Sequence, residues 1–127
     1  MSAVGIFFVC SGASIGALLR WWLGGILNPI FPSIPLGTLA ANIIGGFLIG
    51  VFMAITRNHL FLPESARLAI ITGFLGGLTT FSTFSAETVT LLSHQEYFMS
   101  TVIIIGHVAG SILATIFGIY TVKLLTF

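Results

Sequence analysis

Gly73-Phe74-Leu75-Gly76-Gly77-Leu78-Thr79-Thr80-Phe81-Ser82-Thr83-Phe84-Ser85 is an apolar run interrupted first by paired glycines and then by a string of hydroxyls. It lies inside a longer segment, from about 65 to 92, that exceeds one straight bilayer crossing. Paired glycines followed by Ser and Thr are poor material for an unbroken helix. Irregular backbone at membrane depth survives only where it is buried in protein or lines a wet cavity. The reading is therefore a transmembrane helix broken near its middle, whose exposed carbonyls and half-helix ends can bind ions. The rival is a continuous helix packed through its glycines.

The rest of the chain fits that membrane reading. Of 127 residues, 57% are hydrophobic and 6% charged, with a mean hydropathy of +1.16. A soluble domain carries about a quarter charged residues, so an ordinary cytosolic enzyme is excluded. Three further apolar runs cover about 3–27, 37–55 and 97–124, separated by Asn28-Pro29 with Pro32 and Pro35, by Thr56-Arg57-Asn58-His59 with Pro63-Glu64, and by Ser93-His94-Gln95-Glu96. The fold class is an all-α membrane protein of four transmembrane helices, forming a single four-helix unit over 1–127. The first run lacks a leading Lys or Arg and outlasts a cleavable signal core, so it is read as a span that stays.

A net charge of +1 offers no basic patch for nucleic acid and no polybasic run for lipid headgroups. With four spans, Arg57, Arg67 and Lys123 fall on one side and Arg20 on the other. This is a weak positive-inside bias, compatible with insertion in both orientations. Glycines recur at four-residue spacing, at Gly12 and Gly16, Gly46 and Gly50, Gly106 and Gly110, as helices packing closely in lipid require. Four short spans enclose little volume, so a polar pathway forms more readily between copies, and a homodimer or larger is expected.

Few residues can carry chemistry. Phe81 and Phe84 share a helical face among hydroxyls, and a ring's positive edge can receive a small anion without a fixed cation. His107, Ser111 and Thr115 form one polar stripe at steps of four, unless each hydroxyl simply bonds the carbonyl one turn back. Asn42 sits mid-span, where an amide must find partners, as interhelical glue or as a ligand. Arg20 and Glu87 are the only charges well inside the spans, and intramembrane charges default to functional hypotheses; for Arg20 the rival is snorkelling. Gly12-Ala13-Ser14-Ile15-Gly16 mimics a nucleophile elbow, but it lacks the strand-turn-helix context and the chain has no Asp. The single Cys10 excludes an internal disulfide framework, and His59, His94 and His107 lack metal-ligand spacing.

Taken together, Gly37-Thr38, Asn42, Gly45-Gly46 and Gly76-Gly77-Leu78-Thr79-Thr80-Phe81-Ser82-Thr83-Phe84-Ser85 with Glu87 closely resemble the Fluc (CrcB) family of bacterial fluoride channels. The likeness spans essentially the whole chain, including Gly16-Ala17-Leu18-Leu19-Arg20-Trp21 and Gly110-Ser111. It implies an antiparallel, dual-topology homodimer with two pores, in a bacterial inner membrane, surrounded by lipid and exporting fluoride passively to relieve its toxicity. Phe81 and Phe84 match the ring edges that line the fluoride path, with Thr80 beside them and Asn42 as the pore asparagine. Ser111 and Thr115 fall on the family's polar track, Glu87 matches an acidic residue near it, and Arg20 matches a vestibule arginine. Gly76 and Thr79 match positions whose carbonyls, two from each subunit, hold a structural Na+. The chain departs at Ile103 and His107, which stand at track positions where some relatives have hydroxyls.

The resemblance implies electrodiffusion through weak, multiple binding sites, with no nucleotide, no nucleic acid and no catalytic step. A proton-coupled small multidrug transporter is the rival of similar size. Such transporters centre on a glutamate in the first helix, where this chain has no acid. A purely structural membrane subunit would leave the hydroxyl-phenylalanine run without a role.

Overall fold

A computed structural model describes residues 1–57 and 62–126, and among them every regular element is helical. Helix α1 covers Ala3–Leu27, with Ser2 accepting a cap bond from the Gly5 amide at 3.0 Å. Helix α2 covers Leu36–Arg57. Helix α3 (64–78) opens with an α-helical turn, Glu64–Arg67, widens into a π-helical stretch, Leu68–Leu75, and closes with Gly76–Leu78. Helices α4 (Phe81–Ser93) and α5 (Tyr97–Leu125) complete the chain. With α3 and α4 taken as one crossing, four helical segments are long and apolar enough to span a membrane: Ala3–Ile30, Leu36–Arg57, Glu64–Ser93 and Tyr97–Leu125.

The ends differ modestly from the apolar windows. The second span runs on to Arg57 rather than stopping near Ile55, because a charged residue at a helix end can reach the interface while its backbone stays helical. The Asn58-His59 stop signal lies outside the described residues. Asn28-Pro29 does more than end α1. It forms a short 3-10 turn, Asn28–Ile30, and the Asn28 Oδ1 accepts the Gly37 amide at 2.8 Å. One loop side chain thus satisfies an amide in the first turn of α2 that has no partner within its helix. The turn after α4 closes on Gln95 at φ 59, with the amides of Gln95 and Glu96 bonding back to the Leu92 and Leu91 carbonyls. That is a Schellman arrangement with glutamine in the left-handed seat glycine usually takes.

Close backbone approach organises the packing. A Cβ on Gly16 would run into the Phe74 carbonyl and stand 2.7 Å from the Leu78 amide; one on Gly73 would meet the Val9 carbonyl at 2.6 Å. Helices α1 and α3 therefore touch main chain to main chain. Helices α2 and α5 do the same through Gly46, where a Cβ would stand 2.7 Å from the Ser111 carbonyl, and through Gly50. In lipid, where apolar surface gains little by leaving its solvent, such contact is what holds helices together. Gly106 and Gly110 share the spacing without the role, since a Cβ there would meet only the flexible ends of Leu39 and Ile43, at 3.3 Å or more.

Two small apolar clusters fill the interior. Leu23, Ala41 and Leu78 join α1, α2 and α3, while Phe84, Leu91 and Ile103 join α4 and α5. Large apolar side chains such as Phe7, Trp21, Trp22, Phe98 and Phe117 point outward. For a multi-pass membrane protein that surface faces lipid or another copy of the chain.

Candidate functional site

The second and third spans meet where one of them stops being helical. Thr79 (φ −81°, ψ 151°) and Thr80 (φ −149°, ψ 115°) are extended between Leu78 and Phe81. Extended backbone in an apolar setting leaves amides and carbonyls that must find partners. Asn42 supplies two of them. Its Oδ1 accepts the Thr80 amide at 2.7 Å and its Nδ2 donates to the Thr80 carbonyl at 3.1 Å, a strand-like pairing made by a side chain. From the other side, Arg20 Nε donates to the Gly77 carbonyl at 3.1 Å. Thr80 also begins α4, its hydroxyl oxygen accepting the Thr83 amide at 3.1 Å.

These substitutions free two particular carbonyls. In an unbroken helix the Gly76 carbonyl would take the Thr80 amide and the Thr79 carbonyl the Thr83 amide. The first of those amides goes to Asn42 and the second to the Thr80 hydroxyl. Gly76 and Thr79 are thus left with oxygens off the helical ladder, and both residues line the cavity beside the break.

That cavity, about 520 Å³, is bordered by Asn42, Thr80, Phe81, Phe84, His107 and Ser111, among others. The Phe81 and Phe84 rings stand edge to face, centroids 5.5 Å apart and planes at 66°. They differ in setting: Phe81 is 77% exposed and Phe84 only 8%. Phe84 stacks on the His107 imidazole at 4.6 Å, and Asn42 Nδ2 lies 2.9 Å from His107 Nδ1. His107 is buried, and its Nε2 has no partner among the described residues.

The polar stripe of the last helix divides. His107 and Ser111 reach the cavity, whereas the Thr115 hydroxyl donates to the Gly46 and Ser111 carbonyls, both at 2.9 Å. Ser111 enters that network through its carbonyl, so its hydroxyl is uncommitted there. Ile103 lies in the core against Phe84 and Leu91. One helix's periodicity reports a shared face but not the width of the neighbour covering it.

Arg20 borders a second cavity, about 480 Å³, with Trp21, Asn28, Thr38 and Thr83. Thr38 ties this cavity to Glu87, its hydroxyl donating to Oε1 at 2.5 Å; Oε2 is buried without a partner among the described residues. Sequence reasoning assigned Thr38 no chemistry of its own. Its signal was available, since Thr38 stands one turn before Asn42 on the same face of α2. Glu87 lies one turn after Thr83 on α4 in the same way. Among the described residues no three His, Cys, Asp or Glu side chains gather to hold a metal, and His59 lies outside those residues.

The arrangement has relatives. Residues 7–119 match the family model described as CrcB-like protein, Camphor Resistance (CrcB). The chain is 61% identical over 113 residues to the fluoride-specific ion channel FluC of Nitrosospira multiformis, covering 89% of this chain and 88% of that one. It is 54% identical to the FluC of Thiobacillus denitrificans, covering 90% and 92%, and 47% identical to that of Ralstonia pickettii, covering 97% and 98%.

Proposed function

The chain belongs to the CrcB family, and from that membership we infer that it is a fluoride channel, conducting the anion passively across the bacterial inner membrane and so relieving fluoride toxicity. The observation that carries the reading beyond the relatives' names is the cavity at the extended Thr79–Thr80 segment, where uncommitted donors and phenylalanine edges converge without a cationic side chain. Fluoride is small and tightly hydrated, so a pore must replace its water piecemeal with donors while binding weakly at each stop. Ser111, His107 and the edges of Phe81 and Phe84 offer such stops. The Arg20 cavity, with Thr38 and Glu87 behind it, forms the vestibule end of the path. Asn42 borders the path with its hydrogen bonds already spent on protein groups, and Thr115, off the cavity, spends its hydroxyl on the Gly46 and Ser111 carbonyls.

The functional unit is an antiparallel dimer. The exposure of Phe81 supports this, since a ring that borders the cavity but stands 77% open on one protomer becomes the wall of a closed pore only beside a second copy. The weak bias of cationic residues, three on one side against one on the other, is compatible with insertion in both orientations. A structural Na+ fits the same interface. The Gly76 and Thr79 carbonyls are hard oxygens released from the helix, the donor type that hard cations select. Two such oxygens per protomer make an incomplete shell that a second copy can complete. Bound there, the ion would fix the interface and raise the potential for an anion.

Fluoride efflux from liposomes holding the protein tests the reading. Efflux should follow the fluoride gradient and membrane potential without any proton gradient, and prolonged removal of Na+ should end it. Efflux that survives Na+ removal would eliminate the cation and leave the channel. Proton-driven uptake of an organic cation without fluoride movement would put the multidrug-transporter reading in its place.

A further inference from the structure

We propose that Asn42 is a positioning residue that holds His107 as its Nε2–H tautomer, and that this N–H, rather than the Asn42 amide, is the donor met by the anion. The inference rests on the fluoride-channel reading given above. It follows from counting hydrogens. The Thr80 amide can only donate, so the Asn42 atom 2.7 Å away must be the oxygen. The Thr80 carbonyl can only accept, so the atom 3.1 Å from it must be the nitrogen. The two backbone groups thereby settle which way the Asn42 amide faces, a choice usually made by assumption.

Nδ2 has two hydrogens. One goes to the Thr80 carbonyl, and the other points to His107 Nδ1 at 2.9 Å. A nitrogen facing an amide NH2 must present a lone pair, since an Nδ1–H would set hydrogen against hydrogen. An imidazole accepting at Nδ1 carries its proton on Nε2. That Nε2 is buried and lacks a partner among the described residues. A buried donor left unmet is costly, and an acceptor arriving beside it removes the cost. Asn42 has no hydrogen left to offer, and its oxygen would repel an anion.

The surroundings favour the same division of labour. Phe84 stacks on the His107 ring and holds its plane, and Ser111, one turn along α5, borders the same cavity. The chain Thr80–Asn42–His107 therefore couples the extended segment to the orientation of one N–H. Because Nε2 is covered in this state, a shift of its neighbours must open the way for the ion.

Nitrogen NMR of protein carrying isotope-labelled histidine, in liposomes, tests this directly. The His107→Gln variant identifies the His107 signals by their loss. In the wild type Nδ1 should be unprotonated and Nε2 protonated, and fluoride, unlike chloride, should shift the Nε2 signal. Asn42→Asp keeps an acceptor for the Thr80 amide but faces His107 with an oxygen, so the proton should move to Nδ1. A protonated Nδ1 in the wild type would overturn the proposal. So would an Nε2 signal indifferent to fluoride in protein that conducts it. Absence of fluoride flux in the wild type would strike the channel reading instead, and the tautomer would still be read from the same spectra. Should the Asp variant fail to fold, the wild-type spectra decide alone.

Discussion

Phe81→Ile should abolish fluoride flux, to at least about a hundredfold below the parent, while the purified protein keeps its fold and the same assembly mass as the parent. Each 1.36 kcal/mol added to a barrier costs tenfold in rate, so the loss asks only about 2.7 kcal/mol of the ring. The structure separates this effect from stability. Phe81 is 77% exposed on the protomer, so removing its ring opens no core cavity. Isoleucine keeps the apolar bulk and removes the positive ring edge offered to the ion. Phe84 would be a poorer choice, because it is buried in a core cluster and stacked on His107, and its loss would confound folding with conduction. Efflux with a fluoride electrode and light scattering on the same preparation give both halves of the result. Undiminished flux in the variant would refute the ring-edge mechanism.

Gly50→Val should fail earlier, at assembly of the helices. A Cβ on Gly50 would overlap the Thr115 carbonyl oxygen and stand 2.9 Å from its carbon and 3.1 Å from its Cα. These are main-chain atoms and cannot swing aside. Helices α2 and α5 would have to part, taking with them the Thr115 bond to the Gly46 carbonyl. Overpacking commonly costs about 1–3 kcal/mol, and a contact this unyielding belongs at about 3 or above. That is a large share of a typical stability of about 5–15 kcal/mol. The variant is expected to lose its monodisperse peak in size-exclusion chromatography. Gly106→Ala is the control, since its Cβ would meet Leu39 Cδ1 at an ordinary 3.7 Å. A stable Gly50→Val protein would show that α2 and α5 are not held by main-chain contact.

Four spans were legible because lipid imposes a length and a polarity that no soluble fold imitates. The glycine spacing was legible for the same reason, yet it could not say which pairs matter. Gly12, Gly16, Gly46 and Gly50 meet backbone, while Gly106 and Gly110 meet only side-chain ends. Spacing describes one helix, and approach distance belongs to two. The same limit explains Asn42, whose sequence position left glue and ligand equally open until the Thr80 peptide appeared beside it. It also explains Thr115, which shares a face with His107 but turns its hydroxyl to carbonyls.

Gly76 keeps helical dihedrals at φ −63°, ψ −36°, and the backbone leaves the helix at Thr79 and Thr80. Glycine permits a departure at low steric cost, but here the departure occurs where partners wait to satisfy it. Asn42 takes both polar groups of Thr80, and Arg20 takes the Gly77 carbonyl. A sequence lists what can bend; the neighbouring helices decide where.

The most direct test of the account is to load liposomes with fluoride and chloride under equal gradients and follow both anions after reconstituting the purified protein. The account predicts rapid fluoride loss with chloride retained. Equal loss of the two would contradict a fluoride-selective path through Phe81, Phe84, His107 and Ser111, and retention of both would contradict the channel itself.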